Sequence, residues 1–291
     1  MGFKKTLLSS MLGLATLFGA SAAHASPIPP FSLSGSGPVE IKFTGYTAPS
    51  ADGGAGQFGS GLESTFGGGY VTTIQEAGNP ANVFYSQAAN NETISYMLYG
   101  IADDKAVATP GGFNLYNSGC TVGPNCDGKI HIDFYLDNTT ANGGTNPGFS
   151  GPTGVKASDR VGNTLDGLTD GQLLMSWVFV PGIVVGDPTT TLFQNVSALT
   201  LPAKGDGNFL ADCVAGIGCA QFAKGTQLNG ADFAAQFTLL DTSNTPEGAN
   251  GFLGRTSDPV NAVAVPEPAS LALLALGFAA LAGTRRRKNK G

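Results

Sequence analysis

Lys129-Ile130-His131-Ile132-Asp133-Phe134-Tyr135-Leu136-Asp137 decides how this chain folds. Ile130, Ile132, Phe134 and Leu136 occupy every second position, and His131, Asp133, Tyr135 and Asp137 fall between them. A period of two puts the two sets on opposite faces of a strand, one for a core and one for solvent. The same alternation holds for Val39, Ile41 and Phe43 against Glu40, Lys42 and Thr44. Tyr70 to Ile74, Thr93 to Tyr99, Ser176 to Val180 and Phe233 to Leu240 are further β-rich runs. Turn-forming clusters separate them, among them Gly53-Gly54-Ala55-Gly56, Asn142-Gly143-Gly144 and Gly205-Asp206-Gly207-Asn208. Leu173 to Val185 is nearly all apolar and reads as a central strand buried on both faces, with Trp177 in the core. Between the termini no long stretch keeps a helical period, and Gln221 to Gln236 has room for a short helix only. The expected fold is all-β, an antiparallel β-sandwich of jelly-roll type with glycine-rich loops.

Outward from this body both ends change character. Residues Met1 to Ala25 hold Lys4 and Lys5, an apolar stretch from Leu7 to Ala20, and Ala23-His24-Ala25. That is the layout of a cleavable secretory signal, with Ala23 and Ala25 as the small residues before the cut and the Sec translocon as the first partner. The apolar run is shorter than the roughly 20 residues that span a bilayer. At the other end Pro266-Glu267-Pro268 precedes the apolar run Leu271 to Gly283, and then come Arg285, Arg286, Arg287, Lys288 and Lys290. A transmembrane helix is expected over 269–284, its cationic end held in the cytoplasm and the body outside. The chain therefore divides into a signal peptide (1–25), a linker (26–38), a β-sandwich domain (39–241), a second linker (242–265) and a processing tail (266–291). Both linkers are rich in Ser, Gly, Pro, Asn and Thr.

Charge sharpens this division. Seven of the 15 Lys and Arg lie in the terminal segments, leaving eight, and all of the 21 Asp and Glu except Glu267 lie in the body. The net charge of −6 thus conceals a body of −12, eight positive against 20 negative. An acidic surface repels phosphate backbones, which argues against nucleic acid as a partner. With 43 Gly and 17 Pro the chain is loop-rich, yet its alternating Phe, Tyr and Val supply a core that a disordered chain would lack.

Four cysteines in an exported chain read as two disulfides. Cys120 and Cys126 share a spacing with Cys213 and Cys219, and the glycine-bearing stretches between them can turn tightly, so local pairing is expected. Zinc is the rival, without the spacing of a finger or ribbon.

No residues assemble into a catalytic signature. His131, the one histidine beyond the signal, has Asp133 as a neighbour able to orient it, but an ordinary solvent face explains both. Asp133 and Asp137 are roughly 13 Å apart along a strand, too far for a glycosidase pair. There is no Gly-x-Ser-x-Gly elbow. Gly54-Ala55-Gly56-Gln57-Phe58-Gly59 spells a dinucleotide fingerprint without the flanking strand and helix that give it meaning. Asp166 to Gly171 and Asp206 to Asn208 are acidic glycine turns where calcium would bind, although neither fits an EF-hand, and no other cofactor is expected. Tyr46, Tyr70 and Tyr135 are the tyrosines expected to be exposed and able to stack on sugars.

Val265-Pro266-Glu267-Pro268-Ala269-Ser270, with the apolar segment and the Arg-Arg-Arg-Lys end, resembles the PEP-CTERM sorting signal of exopolysaccharide-producing Gram-negative bacteria. The resemblance implies recognition of Pro266, Glu267 and Pro268, with Arg285, Arg286 and Arg287 as the stop, by an exosortase that releases or transfers the protein. Phe43-Thr44-Gly45, Gly69-Tyr70-Val71-Thr72-Thr73-Ile74-Gln75-Glu76 and Tyr96-Met97-Leu98-Tyr99-Gly100-Ile101-Ala102-Asp103 are similar to blocks of the flocculation-associated PEP-CTERM proteins. That second resemblance implies a non-enzymatic matrix or surface protein, associated with exopolysaccharide or another cell-surface polymer, that promotes flocculation or biofilm formation. The rival readings are a secreted hydrolase of polysaccharides or esters and a calcium-dependent adhesive module.

Overall fold

The structure, a computed structural model, describes residues 31–33, 37–51, 57–87, 92–138, 155–197 and 204–265. Its strands are β1 (Gly37–Pro49), β2 (Thr65–Glu76), β3 (Asn79–Ser86), β4 (Glu92–Thr109), β5 (Gly112–Gly119), β6 (His131–Asn138), β7 (Gln172–Val180), β8 (Leu192–Ser197), β9 (Lys204–Ala215), β10 (Phe233–Asp241) and β11 (Gly254–Ala264). One four-residue α-helix, α1 (Pro246–Ala249), and short 3-10 turns complete the described residues.

The pairings close this sheet on itself. β1 lies between β2 and β11, and β11, β10 and β9 follow in order. β9 then pairs along one edge with β8 over Lys204 to Phe209 and with β7 over Leu210 to Ala215. β8 pairs with β5 and β7 with β6, and β5 and β6 share an edge of β4, which returns to β2. Since β3 and β4 also share an edge of β2, the 11 strands form eight staves in sequence order: β1, β2, β3/β4, β5/β6, β7/β8, β9, β10 and β11. This is a closed, antiparallel up-and-down barrel.

The all-β antiparallel expectation holds, and the inward faces pack across the interior as two sandwich layers do. The connectivity differs from a jelly roll, because each stave neighbours the next in sequence. Short turns favour pairing with the sequence neighbour, and the alternation of one buried face reads alike in a sandwich and a barrel.

Local chemistry explains where staves are interrupted. Gly100 in β4 has φ +83°, and a Cβ there would lie 2.4 Å from the Lys129 carbonyl oxygen. A left-handed residue in close contact with a neighbouring backbone requires glycine. At this point β4 changes partner, from β6 at Tyr99 to β5 at Ile101. Gly205 to Asn208, expected as a turn, instead lies within β9 and is paired on both edges. Gly207 is needed because a Cβ would fall 2.1 Å from the Phe237 ring.

Ile130, Ile132, Phe134 and Leu136 point inward, as the alternation requires. Trp177 is fully buried, with its ring centroid 3.9 Å from that of Phe233, and Phe179 stacks on Phe209 at 4.0 Å. A second apolar cluster forms outside the ring, where Leu165 and Leu168 lie over Met97, Tyr99, Phe66 and Tyr46. The solvent side elsewhere carries Glu40, Lys42, Asp206, Asn208 and Gln236, a polar skin that suits water.

Two expected boundaries are corrected. The segment 242–265 is not a tether, because it supplies β11, the stave between β10 and β1. Within β11, Val260, Ala262 and Ala264 are small, yet all three are buried. The segment 26–38 likewise contributes Phe31 and Leu33 to the core and begins β1 at Gly37. The apolar run Leu173 to Val185 is strand only as far as Val180, and Val185 is 99% exposed.

Candidate functional surface and the sorting tail

The outer faces of β2, β4 and β6 carry the sequence's chemically richest residues in register. Tyr70 stands opposite Ser95, and Ser95 opposite Tyr135. One step along, Met97 faces Asp133, and the next step brings Tyr99 opposite His131. Tyr99 and His131 stack with centroids 5.0 Å apart and planes 7° from parallel, and the Tyr99 hydroxyl donates to Asp133 Oδ2 at 2.9 Å. Burial first, and the Asp133 carboxylate second, push the Tyr99 phenol above its ordinary range. Burial, then Asp133, pushes Tyr135 up to about 12. Both phenols are therefore hydrogen-bonding groups, not acids, at neutral pH.

His131 takes a different carboxylate from the one its strand suggests. Its Nε2 lies 3.1 Å from both oxygens of Asp127, while Asp133 serves Tyr99. Asp127 arrives through the loop between β5 and β6, which the disulfide Cys120–Cys126 closes and where the Lys129 N–H also donates to Asp127 at 3.0 Å. Period-two reasoning missed Asp127 because it lies outside the alternating run; the Cys126-Asp127-Gly128 turn was the available signal. The result is a surface with the exposed Asp127 carboxylate, the partly buried His131 imidazole and Tyr135, while Tyr99 is itself buried. The exposed Asp127 carboxylate is the group of this surface free to accept further hydrogen bonds from donors in solution.

A strap, residues 155–171, fixes the neighbouring outer cluster. Arg160 makes a two-pronged ion pair with Glu63, Nη1 to Oε2 at 2.5 Å and Nη2 to Oε1 at 3.0 Å. Glu63 is 2% exposed and also accepts from the Ser50 hydroxyl at 2.7 Å and the Gly100 N–H at 2.7 Å. The Gly100 N–H, where β4 changes partner, thus finds its acceptor in Glu63. The strap's Leu168 carbonyl accepts from Ser95 Oγ at 2.7 Å. Asp166 lies in this strap and Asp206 on β9, so the two candidate calcium turns are not alike. Among the described residues no three His, Cys, Asp or Glu side chains converge to hold a metal ion.

Tyr46 is buried against Phe252 and is not a surface platform. Gly54, Ala55 and Gly56 of the glycine fingerprint lie outside the described residues, as do Ala23, Ala25, Pro266, Glu267, Pro268, Arg285, Arg286 and Arg287. The second disulfide, Cys213–Cys219, ties the end of β9 to the 3-10 turn Ile217–Gln221. Gln221 then gathers both ends of the body. Its Nε2 donates to the Phe31 carbonyl at 2.9 Å, its Oε1 accepts from the Leu33 N–H at 2.8 Å, and its own carbonyl accepts from the Val265 N–H at 2.9 Å.

Residues 264–288 match the PEP-CTERM protein-sorting motif. The match begins at Ala264, the last residue of β11, so ring and tail abut. The motif marks the chain as an exported surface protein targeted to an exosortase. Among the described residues no helix is long and apolar enough to cross a membrane. No curated protein and no solved structure matches the chain.

Proposed function

We propose that this protein is a non-catalytic component of the extracellular matrix, exported through the Sec translocon, processed by an exosortase, and associated with exopolysaccharide so as to hold cells in flocs or biofilm. The observation that carries the reading is the sorting motif at residues 264–288, immediately after the stave that closes the barrel. Removing the tail would leave a self-contained, polar-skinned body outside the cell. The Asp127 carboxylate in the β5–β6 loop and the neighbouring His131 and Tyr135 on β6 offer that body a means of meeting hydroxyl-rich polymer. Two of its buried acidic residues, Glu63 and Asp232, are paired with Arg160 and Lys224, which supports a structural use of those two.

The test combines the purified exported protein with the host's own polymer, and a deletion strain. Co-sedimentation without new reducing ends, together with smaller flocs while polymer is still released, is the expected outcome. New reducing ends would favour a hydrolase, and unchanged floc size would remove the flocculation role.

A further inference from the structure

The barrel's interior is packed along part of its length and open along the rest. A cavity of about 180 Å³ is lined by residues from all eight staves. Five of its 17 lining side chains are aromatic, Phe43, Tyr96, Phe179, Phe209 and Phe237, and the rest divide evenly between aliphatic and polar ones. Small side chains make room: Thr47, Thr65 and Thr256 occupy inward positions where larger residues would fill the space. A neighbouring hollow shares Thr47, Thr65, Asp103 and Leu239 with the cavity and forms its approach from the rim.

One polar group in this wall is unexplained by the fold. Asn117, on β5, is 2% exposed and lines the cavity, and its Oδ1 has no hydrogen-bond partner. Its backbone carbonyl is satisfied, accepting from the Thr191 N–H at 3.0 Å. A buried acceptor left bare is unfavourable, so a donor delivered into the cavity is rewarded there. A cavity of about 150 Å³ accommodates a benzene ring.

We propose that the barrel lumen is a binding site for a small monocyclic aromatic alcohol, its ring among the five aromatic side chains and its hydroxyl donating to Asn117 Oδ1. The wall supplies apolar contact, and the single orphan acceptor supplies orientation, the division of labour found in small-molecule sites. This site is separate from the outer face and does not depend on polymer binding.

The test is calorimetric titration of the exported protein with p-cresol and with toluene, which differ by the hydroxyl. One-to-one binding is expected, with p-cresol about tenfold tighter, the worth of one hydrogen bond. Asn117→Leu should abolish that preference while toluene still binds, and Leu115→Trp, which fills the lumen from a half-buried wall position, should abolish both. Absence of binding at millimolar ligand, or binding that survives Leu115→Trp, would overturn the site. If Asn117→Leu does not fold, equal affinity of the unaltered protein for the two ligands would overturn the role of Asn117.

Discussion

Val265, the residue before Pro266-Glu267-Pro268, donates its N–H to the carbonyl of Gln221 at 2.9 Å. The Ala223 N–H donates to the Val263 carbonyl at 2.7 Å, so the end of β11 is held by the residues that follow the 3-10 turn. The last stave is thus fastened up to the edge of the sorting motif. Truncation should be sharply position-dependent. A chain ending at Val265 is expected to keep the melting temperature of the full exported protein, whereas one ending at Asn250 lacks β11 and exposes the unpaired edges of β1 and β10. Thermal unfolding followed by circular dichroism checks both; a cooperative transition in the shorter chain would contradict the closed ring.

Gln221 makes two side-chain hydrogen bonds to the backbone at Phe31 and Leu33, and Cys213–Cys219 pins the turn that carries it. Gln221→Ala is expected to cost about 1–3 kcal/mol in urea unfolding, the range for leaving buried backbone groups unpaired. Replacing Cys213 and Cys219 together by Ser removes a small ring and should cost about 2 kcal/mol on the chain-entropy relation. Both changes should also raise the amide exchange rate of Val265, a readout that a remote loss of stability would not single out.

Arg160 and Glu63 lie 97 residues apart in sequence, and both side chains are nearly buried, at 10% and 3% exposure. Arg160→Ala leaves the Glu63 carboxylate buried without its counter-charge and is expected to destabilise by about 3–5 kcal/mol. Replacing both, with Glu63→Gln and Arg160→Met, should recover much of the loss, since no lone charge remains. Chemical denaturation of the three proteins measures it.

Much of the ring was legible because strands with one wet face announce themselves by alternation. Ile130 to Leu136 and Val39 to Phe43 fall on the faces that their pattern assigns. Closure was not legible: which edges meet is decided by long-range pairings such as Val39 with Ala262, and no local period encodes them. β11 was missed because Gly, Ser, Asn and Ala dilute its pattern, although Val260 is fully buried. Gly205 to Asn208 misled because glycine serves turns and crowded strands alike, and only the Phe237 ring against Gly207 tells them apart. On the outer surface His131 was visible as a candidate, but its partner Asp127 depended on how the disulfide loop folds back.

Asp187 lies in the loop between β7 and β8 and accepts from the hydroxyls and N–H groups of Thr189 and Thr190. These bonds, that from the Thr189 hydroxyl foremost, hold its carboxyl far below the usual aspartate range. Since the folded pKa is depressed, the contribution is complete above the unfolded value of about 3.9 and fades as pH falls towards the lower folded one. The Thr189 and Thr190 amides should therefore stay protected from exchange at pH 4 and lose protection only in stronger acid. Asp187→Ala should remove that protection at every pH.

The central claim, that a closed barrel is exported and its tail processed outside the cell to act on exopolysaccharide, is tested most directly by the intact mass and location of the mature protein in its host. The expected product lacks the signal through Ala25 and the apolar tail, retains β11, and co-purifies with the extracellular polymer. A full-length, tail-bearing protein resident in the inner membrane, with none in the polymer fraction, would contradict it.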